Sequence, residues 1–370
     1  KRRYASAQTQ LGVMYAQGDG VSQNSTEAVN WFRKAAEQDD PAGQVRLGWM
    51  YLKGNGVPQD SERAAEWFRN AADTGDAGGL YILGRIYADG DGVEKDLIQA
   101  LDLYLEAAEL GFSRAQHALG AIYLEGADGI PKNVRAALKW YNQAAGNGSA
   151  EAQFALGTIH LEGADGVLKN VRTALQWFGT AAANGSADAQ FTLGSIYFKG
   201  ADGVFKNPVT GLNWYRKAAN NGSANAQHTL GSIYLDGAEG VSKNVLTAVG
   251  WYRKAAESGI ADAQFSLGLI YEEGRVVSKN SPEAVKWFRA AAAQGHAVAQ
   301  YKLGSMYAEG EGVFQDRIKA MMWYSLAIRS GYDDTSNQLT QLSGLMSEIE
   351  ISRSELLATR CLELQYRSCE

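Results

Sequence analysis

Apolar residues recur along this chain at two nested periods. Within short stretches they fall three and four apart, as in Ala189, Leu193 and Tyr197, the spacing that places side chains on one stripe of an α-helix. Over longer stretches the whole pattern returns. The dipeptide Leu-Gly stands at Leu11-Gly12, Leu47-Gly48, Leu83-Gly84, Leu119-Gly120, Leu156-Gly157, Leu193-Gly194, Leu230-Gly231, Leu267-Gly268 and Leu303-Gly304. The intervals are 36, 36, 36, 37, 37, 37, 37 and 36 residues. A period of this size predicts a stacked array in which no unit can bury its apolar stripe alone.

Residues 186–222 show the grammar of one unit. Helix A carries Ala187, Ala189, Gln190, Leu193, Gly194 and Tyr197. Glycine inside a helix costs about 1 kcal/mol, and its return in every copy predicts close approach of a neighbouring helix. A turn follows at Gly200-Ala201-Asp202-Gly203-Val204. Helix B then opens on Asn207 as N-cap and Pro208 as first helical residue, carries Trp214, Tyr215, Ala218 and Ala219, and stops at Gly222, with Ser223 available to cap the next helix A. The short loops predict antiparallel helix pairs. Tryptophan recurs at Trp31, Trp67, Trp140, Trp177, Trp214, Trp251, Trp287 and Trp323, with Leu103 in the third copy. An aromatic row at fixed helical spacing predicts buried contacts where repeats meet.

The motifs Ala-x-Ala-Gln-x-x-Leu-Gly-x-x-Tyr, Gly-x-Gly-Val and Ala-x-x-Trp-[Phe/Tyr]-x-x-Ala-Ala-x-x-Gly resemble those of Sel1-like repeats, relatives of tetratricopeptide repeats, over residues 4 to about 332. Departures are few. His160 replaces the helix A tyrosine, Arg275-Val276 replaces the usual loop in repeat eight, and repeats four to seven carry one extra loop residue. The resemblance implies an all-α, right-handed superhelical solenoid that acts as an adaptor. The expected organisation is nine repeats of 36–37 residues over 1–332, then a helical C-terminal cap with a cysteine pair over 333–370. Residues 1–3 occupy the place of a preceding repeat's last turn, so the native array is expected to begin upstream.

Charge and composition narrow the function. The net charge is -6 with 21% charged residues, the opposite of the basic face a phosphate binder needs. No apolar run approaches the roughly 18 residues of a membrane span. The chain opens at Lys1 rather than Met, which suggests a processed product whose signal peptide lies outside it. Cys361 and Cys369 are the two cysteines. A close terminal pair suits a disulfide in an oxidising compartment. Eight helical residues span about 12 Å, too far to bridge, so a bond requires the helix to end between them; two thiols in a frayed tail are the alternative.

Catalytic constellations are not found. His117, His160, His228 and His296 form no HExxH or close pair, no cysteine has metal spacing, and no phosphate loop occurs. The chain is therefore read as a non-enzyme needing no cofactor. Asn147, Asn184 and Asn221 begin Asn-Gly-Ser sequons, better explained by a helix stop followed by an N-cap. The extended loops pair Glu125 with Asp128, Glu162 with Asp165, and Asp236 with Glu239. Such oxygen-rich turns suit Ca²⁺ or Mg²⁺, although solvated turns explain the same residues.

If helix A lines the inner face, two rows of variable residues run along it. The first is Val45, Tyr81, His117, Phe154, Phe191, His228, Phe265 and Tyr301; the second is Trp49, Arg85, Ala121, Thr158, Ser195, Ser232, Leu269 and Ser305. Aromatic anchors suit a protein or extended peptide, while the first row could equally pack between helices. Trp49 stands outside the repeat grammar and is the best single candidate. The near-identical central repeats and Cys-bearing tail look similar to a secreted Gram-negative type within the family. That resemblance implies an exported protein (secreted, surface or periplasmic) that binds host secretory immunoglobulin A and aids immune evasion. The alternative is a periplasmic adaptor or regulator that binds a bacterial envelope protein.

Overall fold

The computed structural model describes residues 2–274, 277–366 and 369; the Arg275-Val276 departure lies outside them. Among the described residues there are twenty α-helices and no strand longer than an isolated bridge. The chain is an all-α solenoid of tandem helical hairpins and divides into two compact units.

The first unit, Lys1–Ser186, holds five hairpins. They are α1 (Arg2–Gln17) with α2 (Ser25–Ala36), α3 (Pro41–Lys53) with α4 (Ser61–Asp73), α5 (Ala77–Asp89) with α6 (Leu97–Glu109), α7 (Ser113–Glu125) with α8 (Val134–Gly146), and α9 (Ala150–Glu162) with α10 (Val171–Ala183). The second, Ala187–Glu370, holds four more. These are α11 (Ala187–Lys199) with α12 (Pro208–Asn220), α13 (Ala224–Asp236) with α14 (Val245–Glu257), α15 (Ala261–Glu273) with α16 (Ser281–Ala292), and α17 (Ala297–Glu309) with α18 (Arg317–Arg329). Two further helices follow, α19 (Ser336–Ser343) and α20 (Glu348–Glu363).

Each hairpin is held by one repeated contact. The helix A glycine lies beneath the aromatic ring of helix B in the same repeat. A Cβ placed on Gly157 would meet the Phe178 ring at 2.6 Å, one on Gly194 the Tyr215 ring at 2.6 Å, and one on Gly268 the Phe288 ring at 2.6 Å. No neighbouring helix from another repeat is involved at these contacts. The ring is the residue after the tryptophan, and Phe32, Phe68, Tyr104, Tyr141, Phe178, Tyr215, Tyr252, Phe288 and Tyr324 are all buried.

The tryptophans themselves differ from expectation. Only Trp140 and Trp323 are buried; Trp31, Trp67, Trp177, Trp214, Trp251 and Trp287 are half-buried. One residue is a 100° step around the helix, so the Phe/Tyr points into the hairpin and the Trp to its flank. Lysines one turn on lie over several of these rings, Lys34 on Trp31 at 4.1 Å, Lys217 on Trp214 at 4.2 Å and Lys254 on Trp251 at 4.5 Å.

Successive hairpins are joined by buried glutamines. Gln116 Nε2 donates to the Ala108 carbonyl of the preceding helix B at 3.0 Å, and Gln153 to Ala145 at 3.1 Å. Their Oε1 atoms accept from Asn147 Nδ2 at 3.0 Å and Asn184 Nδ2 at 2.9 Å. Asn221 Nδ2 donates likewise to Gln190 at 3.0 Å. The three sequon asparagines thus cap helix B and spend their amide nitrogens inside the fold. Where Thr74, Ser258 or Ser330 stands in the asparagine's place, the side chain is too short, and the Oε1 of Gln44, Gln227 and Gln300 is buried without a hydrogen bond. The third repeat replaces both partners with apolar residues, Leu80 and Leu110.

A second tie runs from helix B to the tyrosine of the next helix A. Arg33 donates to Tyr51 Oη at 3.3 Å, Arg69 to Tyr87 at 3.2 Å, Arg253 to Tyr271 at 2.7 Å and Arg289 to Tyr307 at 2.9 Å. The exceptional His160 follows a helix B that carries Asn142 where these arginines stand. Repeats four and six keep Tyr123 and Tyr197 although Leu105 and Gly179 stand in the arginine's place, so loss of the arginine does not by itself dictate the exchange.

The C-terminal helices cover the last repeat. Leu342, Ala358 and Cys361 are buried in one cluster with Met321 and Met322 of α18. Helix α20 ends at Glu363, and Gln365 and Tyr366 adopt positive φ. The chain reverses there, and Cys361 and Cys369 are disulfide-bonded across a Cα–Cα distance of 4.7 Å. Tyr366 reaches back, its hydroxyl 3.1 Å from Ser330 Oγ.

Two stability outcomes follow from these contacts. Gly157→Ala should cost about 1–3 kcal/mol by overpacking, despite the gain in helix propensity. Thermal unfolding of Gly157→Ala, Phe178→Leu and the double variant should then show strong non-additivity; additive losses would refute the ring-on-glycine contact. Ser258→Asn should supply the donor missing at Gln227 and stabilise by about 1 kcal/mol, read as a raised midpoint in urea.

Candidate functional site

Because the repeated positions are used in packing, candidate binding residues must be found among the half-buried residues of helix A. The first row is held from below. Each ring rests on the buried aromatic of its own helix B, with centroids 5.6 Å apart for Tyr81–Tyr104, 5.5 Å for His117–Tyr141, 5.5 Å for Phe154–Phe178, 5.4 Å for Phe191–Tyr215, 5.6 Å for His228–Tyr252, 5.8 Å for Phe265–Phe288 and 5.7 Å for Tyr301–Tyr324. All seven are half-buried. Tyr81 also meets Phe112, Tyr301 meets Tyr332, and His296 stacks on Phe265 at 4.6 Å. This row extends the core outward while leaving part of each ring accessible.

The second row answers the hydroxyls of the buried tyrosines. Ser232 Oγ lies 3.1 Å from Tyr252 Oη, Tyr324 donates to Ser305 at 3.1 Å, and Ser195 bonds Tyr215. Burial raises the pKa of Tyr215, Tyr252 and Tyr324, and these serine contacts partly offset it. Tyr141, with Ala121 in that place, is pushed up to about 12, by burial first and then by Glu125. Where helix B carries phenylalanine no hydroxyl needs a partner, and the row holds Trp49, Thr158 or Leu269.

Trp49 is the largest of these by far. Its indole meets Phe68 edge-on at 5.7 Å and 74°. The Arg85 guanidinium, from the next repeat, lies 5.0 Å from the indole ring centre, and Lys53 Nζ lies 5.5 Å away. Arg85 reaches its own-helix carboxylate Asp89 only at 4.0 Å. Beside the indole opens a hollow of about 340 Å³ floored by Val13, Ala16, Phe32 and Met50, with Arg46 and Lys53 as the charged members of its described lining. On the other side a smaller hollow is bounded by Val45, Arg46 and Asp76. Asp76 is committed as the N-cap of α5, accepting from Gly79 N at 2.8 Å. The structure therefore brings Trp49 and Arg85 together. Arg46 and Lys53 were missed in the sequence because exposed basic residues on a helix carry no periodic signal; their i−3 and i+4 spacing from Trp49 could have found them.

The loop carboxylates are not brought together. Among the described residues no three His, Cys, Asp or Glu side chains gather as a cation would need. Glu125, Asp128, Glu162 and Asp236 are exposed. Asp165 pairs with Lys132 at 3.1 Å and Glu239 with Lys206 at 3.3 Å, each lysine coming from the preceding repeat's loop. The extra residue in these loops closes a tight turn, Ala127 and Ile130 exchanging two backbone bonds of 2.9 and 2.8 Å, which accounts for the Gly-Ala-Asp-Gly spelling without a metal.

Three histidines have packing roles. His296 is an N-cap, its Nδ1 accepting from Ala299 N at 3.1 Å, a role the sequence reading missed. Burial lowers the pKa of His117 and of His228, opposed by Glu151 and Asp262 respectively from the next helix A. A histidine depressed in the fold leaves the unfolded chain binding more protons below its ordinary pKa, about 6.5, so stability falls as pH drops through that value. Unfolding midpoints measured from pH 7.5 to 5 should decline below about 6.5, and the double variant His117→Phe/His228→Phe should flatten that decline. An unchanged slope in the variant would assign the acid sensitivity elsewhere.

Comparison with known proteins agrees with this architecture. The Sel1 repeat family profile matches nine segments, 5–40, 41–76, 77–112, 113–149, 150–186, 187–223, 224–260, 261–296 and 297–332. Among solved structures, the chain is similar to c5321, a protective antigen present in uropathogenic Escherichia coli strains and displaying an SLR fold. Identity is 35% over 99% of this chain and 78% of that one, with a TM-score of 0.64. It is also similar to a Sel1 repeat protein from Oxalobacter formigenes, at 31% identity over 85% of this chain and 90% of that one, with a TM-score of 0.65. Comparison with curated protein sequences gives no significant match. The helical hairpins, the nine matched segments and these identities place the chain in the Sel1 repeat family.

Proposed function

We propose that the chain is an exported, non-catalytic scaffold that binds a host protein, and that secretory immunoglobulin A is its partner. The observation that carries the protein-binding reading is the Trp49 site. A large aromatic, half-exposed, sits over an apolar hollow with arginine and lysine around it. That composition is characteristic of interface anchors, where tryptophan and arginine dominate the binding energy. In repeats five and eight the equivalent place holds Thr158 and Leu269, and Phe154 and Phe265 one turn earlier cover the helix B ring; repeat two carries Val45 there, so Trp49 covers Phe68 and presents the rest of its indole at the surface.

Export is supported by the Cys361–Cys369 disulfide, which belongs in an oxidising compartment, and no described helix is long and apolar enough to cross a membrane. A host-facing role is supported by the 35% identity to a protective antigen of uropathogenic Escherichia coli. The immunoglobulin itself rests on the resemblance of the central repeats and tail to the secreted type.

Purified secretory immunoglobulin A passed over the immobilised chain should bind. Trp49→Ala should weaken binding by about 2 kcal/mol, roughly thirtyfold in Kd, with the circular dichroism melt as the control for folding. No response with the immunoglobulin would overturn that partner. Protection of the chain from added protease in intact bacteria would then favour a periplasmic adaptor for an envelope protein.

A further inference from the structure

The chemistry of the Trp49 site specifies more than a protein partner. The chain as a whole is acidic, with net charge -6, yet the charged groups turned toward the indole and its larger hollow are Arg46, Lys53 and Arg85. Of the two carboxylates nearby, one is engaged as a helix cap and the other is a loose ion-pair partner of Arg85. Asp76 caps α5 on the far side of the indole, and Asp89 stands 4.0 Å from Arg85, too long for a direct hydrogen bond. The hollow beneath is apolar, lined by Val13, Ala16, Phe32 and Met50. An apolar floor with a cationic rim has one complementary occupant in peptide chemistry.

Resting on the protein-binding reading above, we infer that the Trp49 hollow receives an acidic peptide segment of the partner, one bulky apolar side chain entering against Trp49 and flanking carboxylates meeting Arg46, Lys53 and Arg85. The cations serve two parts of the task. Arg85 and Lys53 lie near the indole ring and hold its orientation by cation–π attraction. Their outer N–H groups remain for carboxylates, which accept charge-assisted bonds stronger than those of neutral acceptors. A basic segment would meet like charge at the rim, so the same arrangement excludes it. Copies five and eight of the array, with Thr158 and Leu269 in the tryptophan's place, lack the aromatic wall.

The test uses the full chain labelled with ¹⁵N, observing the Trp49 indole N–H signal assigned by its loss in Trp49→Phe. Three probe peptides are titrated: Glu-Asp-Glu-Phe-Asp-Glu-Glu, its Phe→Ala counterpart, and Lys-Arg-Lys-Phe-Lys-Arg-Lys. The first should shift the indole signal. The second should bind at least about tenfold more weakly for loss of the buried ring, and the third should leave the signal in place. Arg46→Gln/Lys53→Gln should weaken the first peptide about tenfold and reduce its salt dependence, while Lys254→Gln on another repeat should change nothing. Equal binding of acidic and basic peptides, or an unmoved indole, overturns the inference. So does a shift produced by phosphatidylserine vesicles but not by the peptide, or a dimer in sedimentation that dissociates in Trp49→Phe, since either assigns the hollow to another occupant. The two proposals separate cleanly: peptide binding without immunoglobulin capture removes the named partner alone, and capture that survives Arg46→Gln/Lys53→Gln removes the acidic-segment inference alone.

Discussion

The contact between a helix A glycine and the helix B ring above it constrains everything else in this fold. A methyl group at that point would lie 2.6–2.9 Å from ring carbons in every repeat, so the two helices can approach closely only because the side chain is absent. The cost of glycine in a helix, about 1 kcal/mol, is met by burial of a ring worth about 1.5–3 kcal/mol. Close approach also fixes the direction of the next residue on helix B. With the Phe or Tyr committed inward, the tryptophan before it is turned to the flank, where it packs on the edge of the core and in several repeats lies under a lysine. The partial exposure of six of the eight tryptophans in the row is therefore a consequence of the glycine seat.

Hairpins closed in this way still need to be joined, and the joining is polar. The buried glutamine ties three pieces of chain: its own helix A, the end of the preceding helix B, and the cap of its own helix B. A buried amide is costly when half satisfied, yet repeats two, seven and nine keep the glutamine without its partner. Asparagine serves repeats four to six, and Gln294 serves Gln264 at 2.8 Å in repeat eight. Leucine replaces both members in repeat three. The arginine–tyrosine tie is looser: His160 appears after Asn142, but Tyr123 and Tyr197 stand after Leu105 and Gly179. Several deviations from the consensus are thus explained by the residue each touches in the fold.

The periodic part of the fold was legible because it is written nine times. Leu-Gly spacing marks helix A, Asn207 and Pro208 mark the start of helix B, and Gly222 at φ 87° marks the left-handed stop. Direction was not legible. The sequence shows that Trp214 and Tyr215 both recur, but only the hairpin geometry decides which of two adjacent aromatics points inward. The same gap affected the loop carboxylates: Asp165 and Glu239 share a loop with other oxygen donors, and the lysines that claim them, Lys132 and Lys206, stand one repeat earlier. At the candidate site, Trp49 was visible as an exception and Arg85 as its row neighbour. Their meeting at 5.0 Å, together with Lys53, depends on the offset between successive helices A.

An array of this kind sets a strict condition for recognising a functional residue. A position that repeats is explained by packing, and a position that deviates together with its partner is explained by compensation. What remains is a deviation that no neighbour in the fold requires. Ser195, Ser232 and Ser305 fail the test because each answers a buried tyrosine hydroxyl. Phe154, Phe191 and Tyr301 fail it because each rests on the ring beneath. Trp49 meets it only in part: its indole covers Phe68 where Val45 leaves the first row without a ring, and the remainder lies at the surface beside three cations. In a protein whose stability is distributed over similar hairpins, the exposed part of such a residue is open to partner selection while its buried edge still serves the hairpin.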